Sequence, residues 1–329
     1  MITILHKGIH CTIQDLGRFS FQRYGVIPSG AMDAFALRIA NLLVGNNEGE
    51  ACIEVLFRKT AIRFHDERTI AVTGGNLTPQ LNGDSIPIFK PILVRNGDVL
   101  EFQLPIEGFR AYIAISGGLA INSVLNSKST DEKSNLGGFE GRSLVEGDQL
   151  KLLKHTTNHL KVINHLTSRN GKTDWRVHYE PIYATEKVLT IKVLPGLDHQ
   201  LFKPAHLKKF EQLTYTVSNE SNRMGYRLEH DEPIELIQQQ DVLSEAVTYG
   251  TIQVPPSGKP IILMADSQTV GGYPKIGQVL TTELSKLAQA KPGQQLRFQF
   301  TTIAEAEKCY FEREFYINQI KSGIKTHFN

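Results

Sequence analysis

The sequence predicts a mainly β protein, and three kinds of observation carry that reading. Short apolar runs of strand length recur through both halves of the chain, most of them closed by Gly, Pro, Asn or Asp turns such as LNGDS and RNGDV. Helical periodicity is confined to three segments. The strand runs also follow one another with few helices between them, which suits barrels or sandwiches better than a doubly wound sheet.

In order, ITIL (2–5), TAIRF (60–64), TIAVTG (69–74), PILV (91–94), DVLEFQL (98–104) and RAYIAISGG (110–118) read as strands of the first half. VLTIKVLPG (188–196), PIELI (233–237), TIQVP (251–255), PIILMA (260–265) and QQLRFQF (294–300) repeat the texture later. A first helix is expected in SGAMDAFALRIANLLVGN, where Met32, Phe35, Ala36, Ile39, Leu42 and Leu43 recur at i, i+3, i+4 and i+7. Ser29 or Gly30 caps it, Asp33 complements its dipole and Gly45 ends it. A second helix spans 278–289, stopped by Lys291-Pro292-Gly293, and an amphipathic third covers 303–321. No other substantial helix is expected.

Residues 154–181 are polar, basic and without a clean period, and read as a connection between domains. The expected organisation is a β domain over 1–153, a linker over 154–186, a second β domain over 187–302, and a helix and tail over 303–329. GDVLEFQL and GQQLRFQF each close a β-rich block, and IPSG and VPPSG each sit at a turn, a weak echo between the halves.

At 329 residues, 40% hydrophobic and 21% charged, the chain has the length and composition of a two-domain globular protein. A net charge of +2 gives no electrostatic reason to bind nucleic acid or an acidic membrane. Cys11, Cys52 and Cys309 are far apart and lack paired metal spacing, which suits a reducing cytoplasm. MITILHKGIH shows no secretory signal, and no apolar run approaches the roughly 18 residues of a membrane span.

Several motifs carry polar chemistry. TIQDLGRFSFQRYGVIPSGAMD brings Gln14, Asp15, Arg18, Ser29 and Gly30 to a helix start, where backbone N–H groups suit a carboxylate or phosphate; a capped helix with Asp15 and Arg18 paired at the surface is the plainer alternative. Ser116 and Gly117 end a strand where a backbone can approach a ligand closely, or simply turn. Arg223 and Arg227 flank Met-Gly-Tyr and suit an anion or a neighbouring acid such as Glu229 or Glu245. LSEAVTYGTIQVPPSG adds Ser244, Glu245, Gln253 and Ser257. In DSQTVGGYPKIG an apolar strand delivers Asp266, Gln268, Thr269, Gly271, Gly272, Tyr273 and Lys275 to its end, a polar cleft wall on a rigid scaffold. With Asp266 and Lys275 exposed on that wall, exchanging either should leave folding nearly intact. Other chemistry is poorly supported. His155, His159, His165 and His178 lack acid or cysteine companions for a metal, no phosphate loop or G-x-S-x-G is present, and GAMDA holds Asp33 where a biotin carrier needs lysine.

Together TIQDLGRFSFQRYGVIPSGAMDAFALRIANLLVGN, NSKSTD, GGFEGRSL, RMGYRLE, SEAVTYGTIQVPPSGKPIIL and DSQTVGGYPKIG resemble the allophanate hydrolase subunit 2 family, also called biotin-dependent carboxyltransferase-like. That family includes the C subunits of bacterial 5-oxoprolinases and the KipA regulators. Asn126 and Lys128 stand where the family usually shows Gly and Arg, and Val270 where Thr is usual. The resemblance implies two tandem cyclophilin-like β-barrel domains, a KipI-like B subunit as partner and, for 5-oxoprolinase, an A subunit. The activity it implies is ATP-dependent opening of 5-oxo-L-proline to L-glutamate. ATP and Mg²⁺ are then expected at a subunit interface or on a partner. Asp266, Lys275, Glu245 and Gln268 are the expected catalytic residues. Gln14, Asp15, Arg18, Ser29, Gly30, Ser116, Gly117, Arg223, Gln253, Ser257, Thr269, Gly271, Gly272 and Tyr273 are the expected binding residues. Carboxyl transfer from biotin, as in urea carboxylase, and non-catalytic regulation of a KipI-like kinase inhibitor are the alternatives.

Overall fold

Thr69 to Thr73 are buried without exception, because the strand that carries them has a core on each face. In the computed structural model, residues 1–169, 171, 173–178, 187–238, 240 and 242–328 are described. They form two units: Met1–Arg18 with Ser29–Tyr183 and Phe315–Asn329, and Phe19–Pro28 with Ala184–Glu314.

The first unit contains β1 (Ile2–Lys7), β2 (His10–Gln14), α1 (Ala34–Leu43), β3 (Cys52–Leu56), β4 (Thr60–Phe64), β5 (Arg68–Asn76), β6 (Pro79–Leu81), β7 (Asp84–Ser85), β8 (Pro91–Val94), β9 (Val99–Phe102), β10 (Glu107–Ile115), β11 (Gln149–Leu150) and α2 (Thr157–Ser168). They make two antiparallel sheets, ordered β11-β1-β4-β9-β6-β7 and β2-β3-β10-β5-β8. The strand period of two explains the buried β5. Ile70 and Val72 join Ile4, Ile53, Phe64, Leu100 and Ile113 in one core, while Ala71 joins Cys52, Tyr112 and Ala114 under Phe35, Ala36, Ile39 and Leu43 of α1. Burial on that scale pushes the Cys11 and Cys52 thiols far above their usual range, so both behave as core hydrophobes.

The second unit contains β12 (Val188–Pro195), α3 (Pro204–Gln212), β13 (Tyr215–Val217), β14 (Gly225–Glu229), β15 (Glu245–Ala246), β16 (Thr251–Gln253), β17 (Ile261–Leu263), β18 (Val270–Gly271), β19 (Lys275–Val279), α4 (Leu284–Gln289) and β20 (Gln295–Phe300). Seven of these strands close into a barrel, β12-β19-β16-β17-β14-β13-β20, in which β12 and β20 pair in parallel. Tyr215, Tyr226, Ile252, Ile262, Ile276 and Phe298 are buried, and Phe210 of α3 stacks on Phe298 with ring centroids 4.6 Å apart. β15 and β18 form a separate two-stranded ribbon. α5 (Ile303–Phe328) starts in the second unit and ends in the first, where its residues Ile317 and Ile320 are buried against the α1 layer.

The mainly β expectation holds, with corrections in detail. The described residues carry five helices rather than three. Within the expected linker, residues 157–168 form α2, a helix the sequence reading did not expect: Val162, Ile163 and Leu166 are buried with Leu93 and Phe328. A stripe that narrow leaves most of the segment polar, so no clean period shows. Residues 179–186 of the expected linker lie outside the described residues. α3 is equally hidden in the sequence, since Phe210 is its one buried residue. The expected helix over 278–289 begins only at Leu284, because Gln278 is still in the ladder with Thr251. PIELI is not a strand either. The Glu235 N–H donates to His206 Nδ1 at 3.0 Å, and an isolated bridge joins Phe202 to Leu236.

Acid should loosen α2. Burial holds His155, His159 and His165 below the usual histidine range, reinforced by Arg68 and His155 around the first two and by His327 and Arg169 around the third. Their folded values lie below the unfolded one, so the unfolded chain takes up protons first and stability falls as pH drops below about 6.5. Melting temperature should therefore decline between roughly pH 6.5 and 5, above the carboxylate range. His159→Gln should flatten that decline; an unchanged slope would refute the account.

Candidate functional site

Asp15, just past β2, is an anchor rather than a surface acid. Its Oδ1 accepts from the Gly17 N–H at 2.8 Å, Ser127 Oγ at 2.7 Å and Ser129 Oγ at 2.6 Å, and its Oδ2 accepts from the Lys128 N–H at 2.6 Å. Arg18 is also fully buried and donates to the Ser129 carbonyl, so Asp15 and Arg18 are not a surface pair. Gly137 faces the Arg18 guanidinium so closely that a Cβ there would lie 2.5 Å from Nη2. The loop from Ser127 to Gly141 thus wraps both residues. Gln14 Oε1 and Ser29 Oγ are buried without a partner among the described residues.

The start of α1 is closed by its own residues. Asp33, not Ser29 or Gly30, is the N-cap and accepts from the Ala36 N–H at 3.0 Å. Ser29 and Gly30 lie ahead of the helix at positive φ, with Gly30 packed on Gly17. Tyr112 OH accepts from the Asp33 N–H at 2.8 Å and donates to Glu54 Oε2 at 2.7 Å, while Glu54 Oε2 also accepts from the Met32 N–H at 3.1 Å. Burial, then the Glu54 charge, pushes the Tyr112 phenol well above its usual value. The anion site expected at this helix start is therefore occupied by protein groups.

Ser116 and Gly117 sit elsewhere in the first unit and close a strand end. Ser116 Oγ accepts from the Thr69 N–H at 3.0 Å, and the Ser116 carbonyl accepts from Arg68 Nη1 at 2.9 Å. A Cβ on Gly117 would meet the Leu153 carbonyl at 2.8 Å and Arg68 Nη1 at 2.9 Å, so the close approach that glycine permits here is used by the protein's own groups.

In the second unit the strongest cluster surrounds Lys275. β19 opens with this residue, whose side chain is 3% exposed, and Nζ lies 3.3 Å from Asp198 Oδ2 and 3.2 Å from Glu245 Oε2. Asp198, just past β12, also accepts from the Lys275 N–H at 2.9 Å, and its own N–H donates to the Lys275 carbonyl at 3.2 Å. Gln253, opposite Lys275 in the ladder, donates to the Tyr273 carbonyl at 3.4 Å. Gly271 lies against it: a Cβ there would come within 2.3 Å of Gln253 Nε2, and one on Gly272 within 3.0 Å of Ser244 Oγ. Thr269 is buried beside the ribbon, its carbonyl accepting from the Val247 N–H at 3.0 Å, whereas Tyr273 is half-exposed and Gln268 exposed.

Asp266 has a different partner. Arg223 Nε donates to its Oδ2 at 2.7 Å and Nη2 to its Oδ1 at 2.9 Å, a two-pronged pair in which both side chains are mostly buried. The pair follows the C-terminal end of β17, whereas Lys275 is level with the other end through Gln253. The cleft wall expected to expose both Asp266 and Lys275 is thus corrected: each is locked in its own ion pair. Arg227 pairs instead with Glu220 at 3.6 Å. Ser257 lies in the exposed turn between β16 and β17, where its Oγ accepts from the Lys259 N–H at 3.4 Å.

Sequence reasoning missed Asp198, Ser127 and Ser129. An acid two residues past the Pro195-Gly196 strand end was a signal for the first; the serines lie in NSKSTD, which carries the family resemblance without pointing to Asp15. Lys128, the lysine of that motif, pairs with Glu50 at 2.5 Å.

The chain thus combines a closed-barrel unit with a two-sheet unit, and comparison with known proteins defines its class. The family model described as carboxyltransferase domain, subdomain A and B, matches residues 24–300, and the chain belongs to that family. It is 37% identical to the C subunit of the 5-oxoprolinase of Haemophilus influenzae over 321 residues, 98% of each chain. It is 32% identical to the C subunit of the Escherichia coli 5-oxoprolinase over 320 residues, 97% of each. The crystal structure of the Kluyveromyces lactis urea carboxylase matches 98% of this chain with TM-score 0.86 and 27% identity, but the match spans 29% of that longer chain. Among the described residues no helix is long and apolar enough to cross a membrane.

Proposed function

We propose that this chain is the C subunit of an ATP-dependent 5-oxoprolinase, working in the cytoplasm with a KipI-like B subunit and an A subunit. The observation that carries this reading is its likeness to two 5-oxoprolinase C subunits along nearly the whole of each chain. A lactam resists water because its carbonyl is a poor electrophile and its nitrogen a poor leaving group. Within the Lys275 cluster the ammonium, held rigidly by Asp198, is the group placed to meet the carboxylate of 5-oxo-L-proline. Glu245 and Gln268 lie on the solvent side, where they orient water, and Asp266 on Arg223 is a fixed charge that positions the loop.

The residues of this chain do not fit ATP and Mg²⁺ by themselves. Lys275 already faces two carboxylates, so the cluster has a formal charge of −1, and Arg18 is enclosed by its loop. The described residues hold no group of three or more His, Cys, Asp or Glu side chains that could hold a metal ion. We assign both to a partner subunit. The purified chain should accordingly show no 5-oxoproline-dependent ATP hydrolysis, and adding A and B subunits should restore it together with glutamate release. Turnover by this chain alone would overturn the division of labour; a complete complex inert towards 5-oxo-L-proline would overturn the function. The likeness to a urea carboxylase supports carboxyl transfer as the second reading. Transfer of carboxylate from carboxybiotin to urea by the chain would establish it.

A further inference from the structure

We infer that the Glu245 carboxylate is a place-holder on Lys275, occupying the position that a ligand carboxylate takes when it binds. The inference rests on the reading of the Lys275 cluster as the substrate site and narrows it to a subsite for a small monocarboxylate.

The two acids on Lys275 are held very differently. Asp198 is 13% exposed in its side chain and is tied twice over, by the ammonium at 3.3 Å and by the Lys275 N–H at 2.9 Å. The Glu245 side chain is 52% exposed, and among the described residues its carboxylate has the Lys275 ammonium, at 3.2 Å, as its one partner. Its backbone belongs to the β15–β18 ribbon, outside the barrel ladder that holds Lys275. A half-exposed ion pair that rests on a single contact to a long side chain contributes little to stability. Rotation of the Glu245 side chain alone uncovers the solvent side of Lys275 and leaves the pairing of Glu245 with Gly271 intact.

Charge selects what replaces it. Exchanging one carboxylate for another leaves the formal charge of the buried cluster at −1. A phosphate dianion would add charge next to Asp198 in a poorly solvated place, and a neutral ligand would leave the ammonium one partner short. The size of the group is set by the carboxylate it displaces. Gln253 and the close-packed Gly271 form a firm wall behind the ribbon, since no Cβ fits between them.

The test compares the full-length chain with its Glu245→Ala variant, titrated with 5-oxo-L-proline, with acetate, and with 2-pyrrolidinone, the same lactam without a carboxylate. Binding is read by calorimetry and by the rise in melting temperature. Glu245→Ala is expected to bind 5-oxo-L-proline and acetate at least tenfold more tightly than the unaltered chain, with 2-pyrrolidinone unchanged. Glu245→Gln, which keeps the size and removes the charge, is expected to gain at least threefold. Unchanged or weaker carboxylate binding in both variants would overturn the inference, as would an equal gain for 2-pyrrolidinone. A gain for acetate without one for 5-oxo-L-proline would support the place-holder and count against the oxoprolinase reading, which separates the two failures.

Discussion

Lys275→Ala is expected to cost both folding and activity. The ammonium neutralises Asp198 in a place that is almost closed to water, and its removal leaves that carboxylate without its counter-charge. Breaking such a pair from one side should cost about 3 kcal/mol, a fall in melting temperature of roughly 6–12 °C for a unit of this size. Under the proposed function, oxoprolinase turnover of the chain reconstituted with A and B subunits, per folded molecule, should drop on the order of a hundredfold or more, the scale seen when a charge-stabilising group is lost. The double variant Lys275→Ala with Asp198→Asn should recover part of the stability and none of the activity. Melting curves and turnover measured on the same preparations check both. A melting temperature unchanged in the single variant would contradict the buried pair, whereas full turnover would remove Lys275 from the mechanism.

Asp15→Ala should destabilise the first unit strongly. Four donors converge on its carboxylate, three of them from the segment Ser127–Ser129; all lose this acceptor when it goes, the two serine hydroxyls in a buried place and the two N–H groups in a part-buried one. Each buried orphan costs about 1–3 kcal/mol, so a loss of about 4 kcal/mol or more is expected. Asp15→Asn separates the contacts. An amide oxygen in place of Oδ1 keeps the bonds from Gly17, Ser127 and Ser129, while the amide nitrogen faces the Lys128 N–H, donor against donor. About half of the alanine loss should then remain. Denaturant unfolding gives the ranking Ala, then Asn, then unaltered chain, and faster hydrogen exchange should be confined first to residues 127–141. Equal stability of all three would show that the loop is held by something else.

The two cases differ in how much of them is legible in the sequence. Asp15 is one of several polar residues near a helix start, yet the groups that use it are more than a hundred residues away in the chain. Lys275 is marked by its place after an apolar strand and two glycines, but its burial depends on Asp198 at the end of another strand. Ser116 and Gly117 show the reverse. Their local sequence permits a close ligand approach, while Arg68 and Leu153 fill the space.

By itself the sequence determined that the protein is mainly β, that α1 runs through Phe35, Ile39 and Leu43, and that a long helix closes the chain. These follow from local periods of two and 3.6 residues, which bury one face whatever the partner is. The ordered motifs likewise placed the chain in its family, because such a set survives as residue order alone. Only the tertiary structure decided that α2 and α3 are helices, since each is held by a few apolar contacts supplied from distant segments. It also decided which charges are paired. Asp266 went to Arg223, and Lys275 went to Asp198 and Glu245, because buried charges take the partner that the fold brings within reach, and that choice is made by strand closure rather than by spacing in the chain.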